Sequence, residues 1–546
     1  MTQSGQGLRE PRGFGWWLWI ALAALWFATV PVRPLLDPDE GRYAEIPREM
    51  LASGDWVTPR LDGLKYFEKP PLQYWATAAV YSVFGLKEWT ARLWTVGLGF
   101  LCLPMVFAWT SRLYGRPAGL AALSALAVSP YFVLLAHLNL LDASFTFWLT
   151  GALFAFTTAQ CAAVGSARER WWMLAAWAAA ALAILSKGIV VGVLAGSTLA
   201  VYTIVERDLR WWRRLHAMLG VPLFLLLVMP WFIAVSLRNP SFLRFFFIHE
   251  HFERFLTTVH QRVEPWWYFG ALLLIAAAPW LASLPAAARR AWVESSLILN
   301  FKPLKFLLIF SAITLVFFSV SDSKLAPYIL PIMPPLAAIV GAHVAARPHF
   351  IRRVAFFAGV FVLLASCGLV VYTLRRNGFL PQSALPWLFA GAAAAIVGML
   401  TTWKPMPAGA LRPVWMTAAS AILGWQCLLS AYAELPPQRS AYKLLLAVRP
   451  QIGPTTQLFS IGQYRETISP YLQRTLLLVQ FEGELAFGLA EEPSKMLTAD
   501  AFLARWHAAH DAVAFLDPAS LDSWRRRGLQ GRVIAADQST VAVSRL

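Results

Sequence analysis

An all-α polytopic membrane protein with about thirteen transmembrane helices and a small C-terminal α/β domain follows from three features of this 546-residue chain. First, 58% of the residues belong to the set AVILMFWYC and only 14% are charged, whereas soluble globular chains are near half apolar and about a quarter charged. Second, the apolar residues gather into runs of about 20, the length that crosses roughly 30 Å of hydrocarbon. Third, residues 436–546 leave that pattern. The 26 Trp and 36 Phe suit long lipid-facing and interfacial surfaces. A soluble enzyme, a disordered chain and a disulfide scaffold are excluded.

The apolar run 14–34 has no small-residue cleavage site and leads into a polar loop, so it is expected to remain as a span. Further spans are expected near 89–111, 117–137, 142–164, 171–186, 188–205, 216–237, 266–287, 302–320, 327–346, 352–373, 386–402 and 412–433. The run 71–85 (PLQYWATAAVYSVFG) is too short, holds Gln73 and starts with Pro-Pro. If it does not cross, Arg9/Arg12, Arg112/Arg116, Arg168/Arg170, Arg207/Arg210/Arg213/Arg214, Arg289/Arg290 and Arg347/Arg352/Arg353 all fall on one side. The positive-inside rule makes that side cytoplasmic, and 71–85 becomes an interfacial helix on the outer face.

This topology divides the chain into a transmembrane domain, 1–435, with a first outer loop at 34–88, and an external domain, 436–546. In the latter, strands are expected at Leu458–Ile461, Leu476–Gln480, Ala512–Leu516 and Val533–Ala536, and SLDSWRRRG reads as a helix ending at Gly528. No catalytic motif stands out in it. The net charge of +17 reads as loop arginines that fix topology, with part of it available to an anionic lipid substrate. Nucleic acid is not an expected partner, because no soluble basic domain precedes the spans. The four Cys lie in apolar runs without metal spacing and read as packing residues. The pairs Trp16-Trp17, Trp171-Trp172, Trp211-Trp212 and Trp266-Trp267 read as interface anchors.

Chemistry concentrates on the outer face. The first loop holds Asp37, Asp39, Glu40, Arg42, Tyr43, Glu45, Glu68 and Lys69. Gly41 permits a turn into a helix beginning near Arg42, which would place Asp39 at a helix N-terminus as a possible cap. Asp142 sits at a span end and could cap the next helix; Lys187 lies at a short turn and could simply snorkel to the interface. The loop near 239–267 supplies His249, Glu250, His251, Glu253 and Arg254, and SDSKLAPYILP supplies Lys324 and Tyr328. Ionisable groups at membrane level usually face a cavity. Acids beside Lys and Arg next to apolar helices suit a substrate with a phosphate head and a lipid tail. Glu68 with His249 is a candidate divalent-metal pair, zinc by ligand type, although His249 and His251 would point to different sides of a helix.

The segments DPDEGRYAEIPREM, YFEKPPLQYW, HLNLLDASFTFW and SDSKLAPYILPIMPPLA, in this order, resemble the aminoarabinose transferases and their bacterial relatives in the protein O-mannosyltransferase-like family. The resemblance implies a GT-C glycosyltransferase fold with an inner-membrane, periplasm-facing site. It implies undecaprenyl phosphate-linked 4-amino-4-deoxy-L-arabinose as donor, a lipid A phosphate as acceptor, inversion at C1, a role in polymyxin resistance, and no required cofactor. Asp39 matches the first-loop acid taken as catalytic, with Glu68 and Asp142 as further acids near the site. Arg42, Tyr43 and Lys69 match the lipid-phosphate pocket, and Arg254, Lys324 and Tyr328 match head-group contacts. A protein-hydroxyl acceptor is the competing enzyme reading. A transporter is the reading from another class, against which stand the missing internal repeat and the one-sided charges.

Overall fold

The computed structural model describes residues 16–253, 264–293, 301–345, 349–377, 380–402, 411–434, 439–481 and 483–545. Every run expected to span carries a helix. The first part of the chain runs α1 (Trp16–Phe27), α2 (Asp39–Ser53), the hairpin β1 (Arg60–Leu61) and β2 (Leu64–Lys65), α3 (Leu72–Phe84), α4 (Glu88–Tyr114), α5 (Arg116–Val128), α6 (Pro130–Ala136), α7 (Leu141–Gln160), α8 (Ala167–Lys187) and α9 (Val190–Glu206).

By length and apolarity alone, eight helices among the described residues qualify to cross a bilayer, or nine if α5 and α6 count as one bent span. The bend of 68° lies at Ser129, which the ring of Pro130 forces out of the helical region; its hydroxyl accepts from the Phe132 N–H. Trp16–Val32 and Val190–Glu206 are apolar but shorter. The pair α7 and α8 is long enough but less apolar. Buried Thr146, Thr150 and Thr157 and the ion pair formed by Asp142 and Lys187 lie on surfaces that face protein, where polarity is tolerated.

The 13-residue α3 is too short to cross. It packs between α2 and α4 and buries Gln73, Tyr74, Thr77 and Tyr81. The tryptophan pairs divide. Trp16, Trp171 and Trp266 are well exposed, but Trp211 is buried against Tyr202 and Phe301 and is a packing residue.

The C-terminal region forms a six-stranded mixed sheet: β3 (Gln457–Ile461), β4 (Leu477–Val479), β5 (Met496–Leu497), β6 (Ala512–Leu516), β7 (Arg532–Ala536) and β8 (Val541–Ser544), in the order β5-β4-β3-β6-β8-β7. β5 and β8 were not expected as separate strands. Period-2 alternation splits the sheet into two cores. Phe459, Ala514 and Leu516 point to a helical layer with Phe502, Trp506 and Trp524. Leu458, Val513 and Phe515 point the other way and pack with Tyr43, Ile46, Met50, Leu61 and Leu64 of the first outer loop. The C-terminal domain is therefore seated on the loop that carries the acidic motif.

Candidate active site

Helix α2 starts at Asp39, three residues earlier than expected, with Pro38 before it. The Asp39 side chain caps nothing; its Oδ1 accepts from Arg42 Nη1 at 2.9 Å, the neighbour that i,i+3 spacing brings to the same helix face. The next residue points the other way. Glu40 is buried; it accepts from Arg92 Nε and Nη2 at 2.7 Å each, from the Asn139 N–H at 2.9 Å and from the Leu36 N–H at 3.0 Å. Burial opposes ionising Glu40, but the Arg92 guanidinium outweighs it and keeps the carboxyl below the usual range. Asn139 lies in the turn just before Asp142, so Glu40 ties the segments of both acids to one arginine.

These segments enclose a cavity of about 720 Å³. Its polar wall holds Asp39, Arg42, Tyr43, Glu68, Lys69, Asp142, Lys187, Glu250 and Tyr328; its apolar wall holds Leu140, Leu141, Ile189, Val190, Val193, Phe317 and Phe318. Lys69 Nζ lies 3.5 Å from Glu250 Oε2 and donates to the Glu68 carbonyl at 2.8 Å. Asp142 does not cap α7, whose cap residue is Leu140. It forms an ion pair with Lys187. Lys187 does not snorkel away: its ammonium lies 4.7 Å from the Tyr328 ring centre and 5.2 Å from that of Phe145.

The structure therefore brings together Asp39, Glu68, Asp142, Lys69, Arg42, Tyr43 and Tyr328. Lys324 is near but turned aside: Ser323 and Leu325 line the cavity, while its Nζ donates to the Ser321 carbonyl at 2.6 Å. Arg254 lies outside the described residues. Glu68 lines the cavity beside Lys69; among the described residues no group of three or more His, Cys, Asp or Glu side chains comes together as a metal centre. His249 Nδ1 meets Glu253 Oε2 at 2.8 Å, and its ring stacks on Phe245.

The external domain, where no motif stood out, supplies two acids. Glu484 receives Arg42 through two hydrogen bonds, Nε to Oε1 at 3.2 Å and Nη2 to Oε2, and Glu466 lies 3.8 Å from the same guanidinium. Burial, then the negative charge of Glu484, pushes the Glu466 carboxyl well up, and burial raises Glu484 as well, against the pull of Arg42. Tyr43 and Tyr66 flank that guanidinium at 5.9 and 6.0 Å.

Residues 14–246 match the family model for dolichyl-phosphate-mannose-protein mannosyltransferase, and residues 444–545 match that for the aminoarabinose transferase C-terminal domain. The undecaprenyl phosphate-alpha-4-amino-4-deoxy-L-arabinose arabinosyl transferase of Serratia proteamaculans is 31% identical over 525 residues, covering 90% of each chain. That of Pseudomonas paraeruginosa is 36% identical over 438 residues, covering 77% of this chain and 76% of its own. The crystal structure of ArnT from Cupriavidus metallidurans bound to undecaprenyl phosphate superposes with a TM-score of 0.88 at 32% identity, over 97% of both chains. Its apo form gives 0.85 at 31% identity, again over 97% of both.

Proposed function

The chain belongs to the aminoarabinose transferase family of GT-C membrane glycosyltransferases, and we propose that it moves 4-amino-4-deoxy-L-arabinose from undecaprenyl phosphate to a phosphate of lipid A. The observation that carries this reading is the cavity itself, where cations and carboxylates face an apolar wall suited to a prenyl chain.

In the reaction, the C1–O bond to the carrier phosphate breaks as an acceptor phosphate oxygen bonds to C1 from the opposite face, inverting the anomeric centre. The leaving group is a phosphate, so it needs cations rather than a proton. Lys69 is best placed to supply one, because its contact with Glu250 is long at 3.5 Å and can be exchanged for phosphate oxygens. Arg42 is already matched by Asp39 and Glu484, so its main task is to aim Asp39. Asp39 faces the cavity and stabilises positive charge as it develops at C1. The acceptor phosphate is ionised near neutral pH and needs no strong base.

The reading places the cavity and the external domain on the periplasmic face of the inner membrane. In its support, α8 carries Arg168 and Arg170 at its start and ends at Lys187 on the cavity. The cytoplasm-type arginines and the site thus lie at opposite ends of one helix. Asp39→Asn in folded protein is expected to lower transfer by about 10²-fold or more. Purified enzyme, lipid-linked donor and lipid A measure this; an Asn variant as active as wild type refutes the role of Asp39.

A further inference from the structure

The acidic motif is shared between three bodies, and its first residue has no place in the reaction derived above. Asp39 faces the cavity and Glu40 faces Arg92 in the bundle. Asp37 faces the external domain. Its Oδ2 accepts from Arg465 Nε at 2.9 Å, its Oδ1 from the Thr467 N–H at 2.8 Å, and its own N–H donates to the Arg439 carbonyl at 2.7 Å. Arg465 is held from behind by Asp537 Oδ2, 2.7 Å from Nη1. Both side chains of the pair are largely buried, at 7% and 11% exposure.

Gly41 supplies an independent observation. A Cβ on Gly41 would lie 2.6 Å from the Glu466 carbonyl carbon and 2.7 Å from the Thr467 nitrogen, both backbone atoms. The first turn of α2 therefore touches segment 465–467 directly, on both sides of the residue that faces the cavity.

We propose that Asp37 and Arg465 are positioning residues of the transferase: through this pair the external domain holds the first turn of α2 so that Asp39 and Arg42 point into the cavity. The inference rests on the reading of Asp39 as catalytic. The physical argument is one of lever length. Asp39 is two residues from Asp37, so loosening that anchor shifts its carboxylate by a good part of an ångström, and misplacement on that scale costs up to about 10²-fold in rate. Substrate affinity depends mainly on the rest of the cavity, so the loss should fall on kcat.

The test uses the full-length chain in detergent or nanodiscs, comparing wild type with Asp37→Asn, Arg465→Lys and the exchanged pair Asp37→Arg/Arg465→Asp. The expected result is a fall in kcat of about ten-fold or more for each single variant, with donor KM within about two-fold, and partial recovery in the exchanged pair. An unchanged kcat, or a KM that rises while kcat holds, overturns the proposal. Hydrogen exchange of the peptide spanning 36–43 supplies a readout without substrate: faster exchange there in the single variants, with the bundle helices unchanged, is expected. Unchanged exchange at 36–43 overturns the proposal whether or not the wild-type chain transfers aminoarabinose. A wild type that transfers nothing counts against the functional reading alone.

Discussion

Lys187 and Asp142 show how a residue's neighbours decide its role. Each taken alone suits a structural task, an interfacial cation and a helix cap. Together they form a shielded ion pair under the Tyr328 ring, on the cavity wall. Removing one partner of such a pair strands the other charge, which costs more than the pair contributes. Lys187→Met is therefore expected to lower the melting temperature by several degrees and to cut transfer, while Lys187→Met/Asp142→Asn recovers the melting temperature but not the activity. Calorimetry and a transfer assay on the same preparations check this. Asp39, Lys69 and Asp142 were legible because their motifs are local. Glu484 was not, because its contact with Arg42 spans 442 positions and no short pattern marks an acid that acts at such a distance.

Helix α2 is the element on which the site turns, because successive residues of its first turn serve different bodies. Glu40 anchors it to Arg92 on α4 and to the turn before α7. Glu40→Gln leaves the Arg92 guanidinium buried without its carboxylate, and a loss of about 3–5 kcal/mol is expected by analogy with broken buried pairs. Chemical denaturation of the folded chain measures it; a loss below about 1 kcal/mol would contradict the anchoring role. Helices were legible from apolar runs because hydrocarbon demands length and continuity. Helices α7 and α8 were legible despite their lower apolarity; they pack on one another and bury threonines, and a surface facing protein need not be apolar. Among the strands, Val541–Ser544 escaped separate notice, although it is wholly buried between β6 and β7.

At the scale of the whole molecule, the C-terminal domain closes over the loop between α1 and α4 along a seam of buried polar contacts. Asp62, in the turn between β1 and β2, accepts from the Leu476 N–H at 2.7 Å and the Ser469 hydroxyl at 3.2 Å. Burial pushes its carboxyl up to about 7. A folded value above the unfolded one means that the folded chain holds this proton more tightly. The resulting stability is fully present at pH below the ordinary carboxylate range and is lost as pH rises through about 7. The melting temperature is expected to fall across that interval, and Asp62→Asn, which tolerates the positive φ of 55°, should flatten the slope. An equal slope in both proteins would contradict this. The seam was not legible in the sequence, because each acid looks like an ordinary loop residue until the sheet covers it.

The central claim is that this cavity transfers an aminosugar to a lipid phosphate. Mass spectrometry of lipid A from cells with the wild-type chain, with Asp39→Asn and without the protein tests it most directly. A pentosamine-sized addition on a lipid A phosphate is expected in the wild-type cells alone. Lipid A that stays unmodified in all three, with hexose appearing instead on exported proteins, would contradict it.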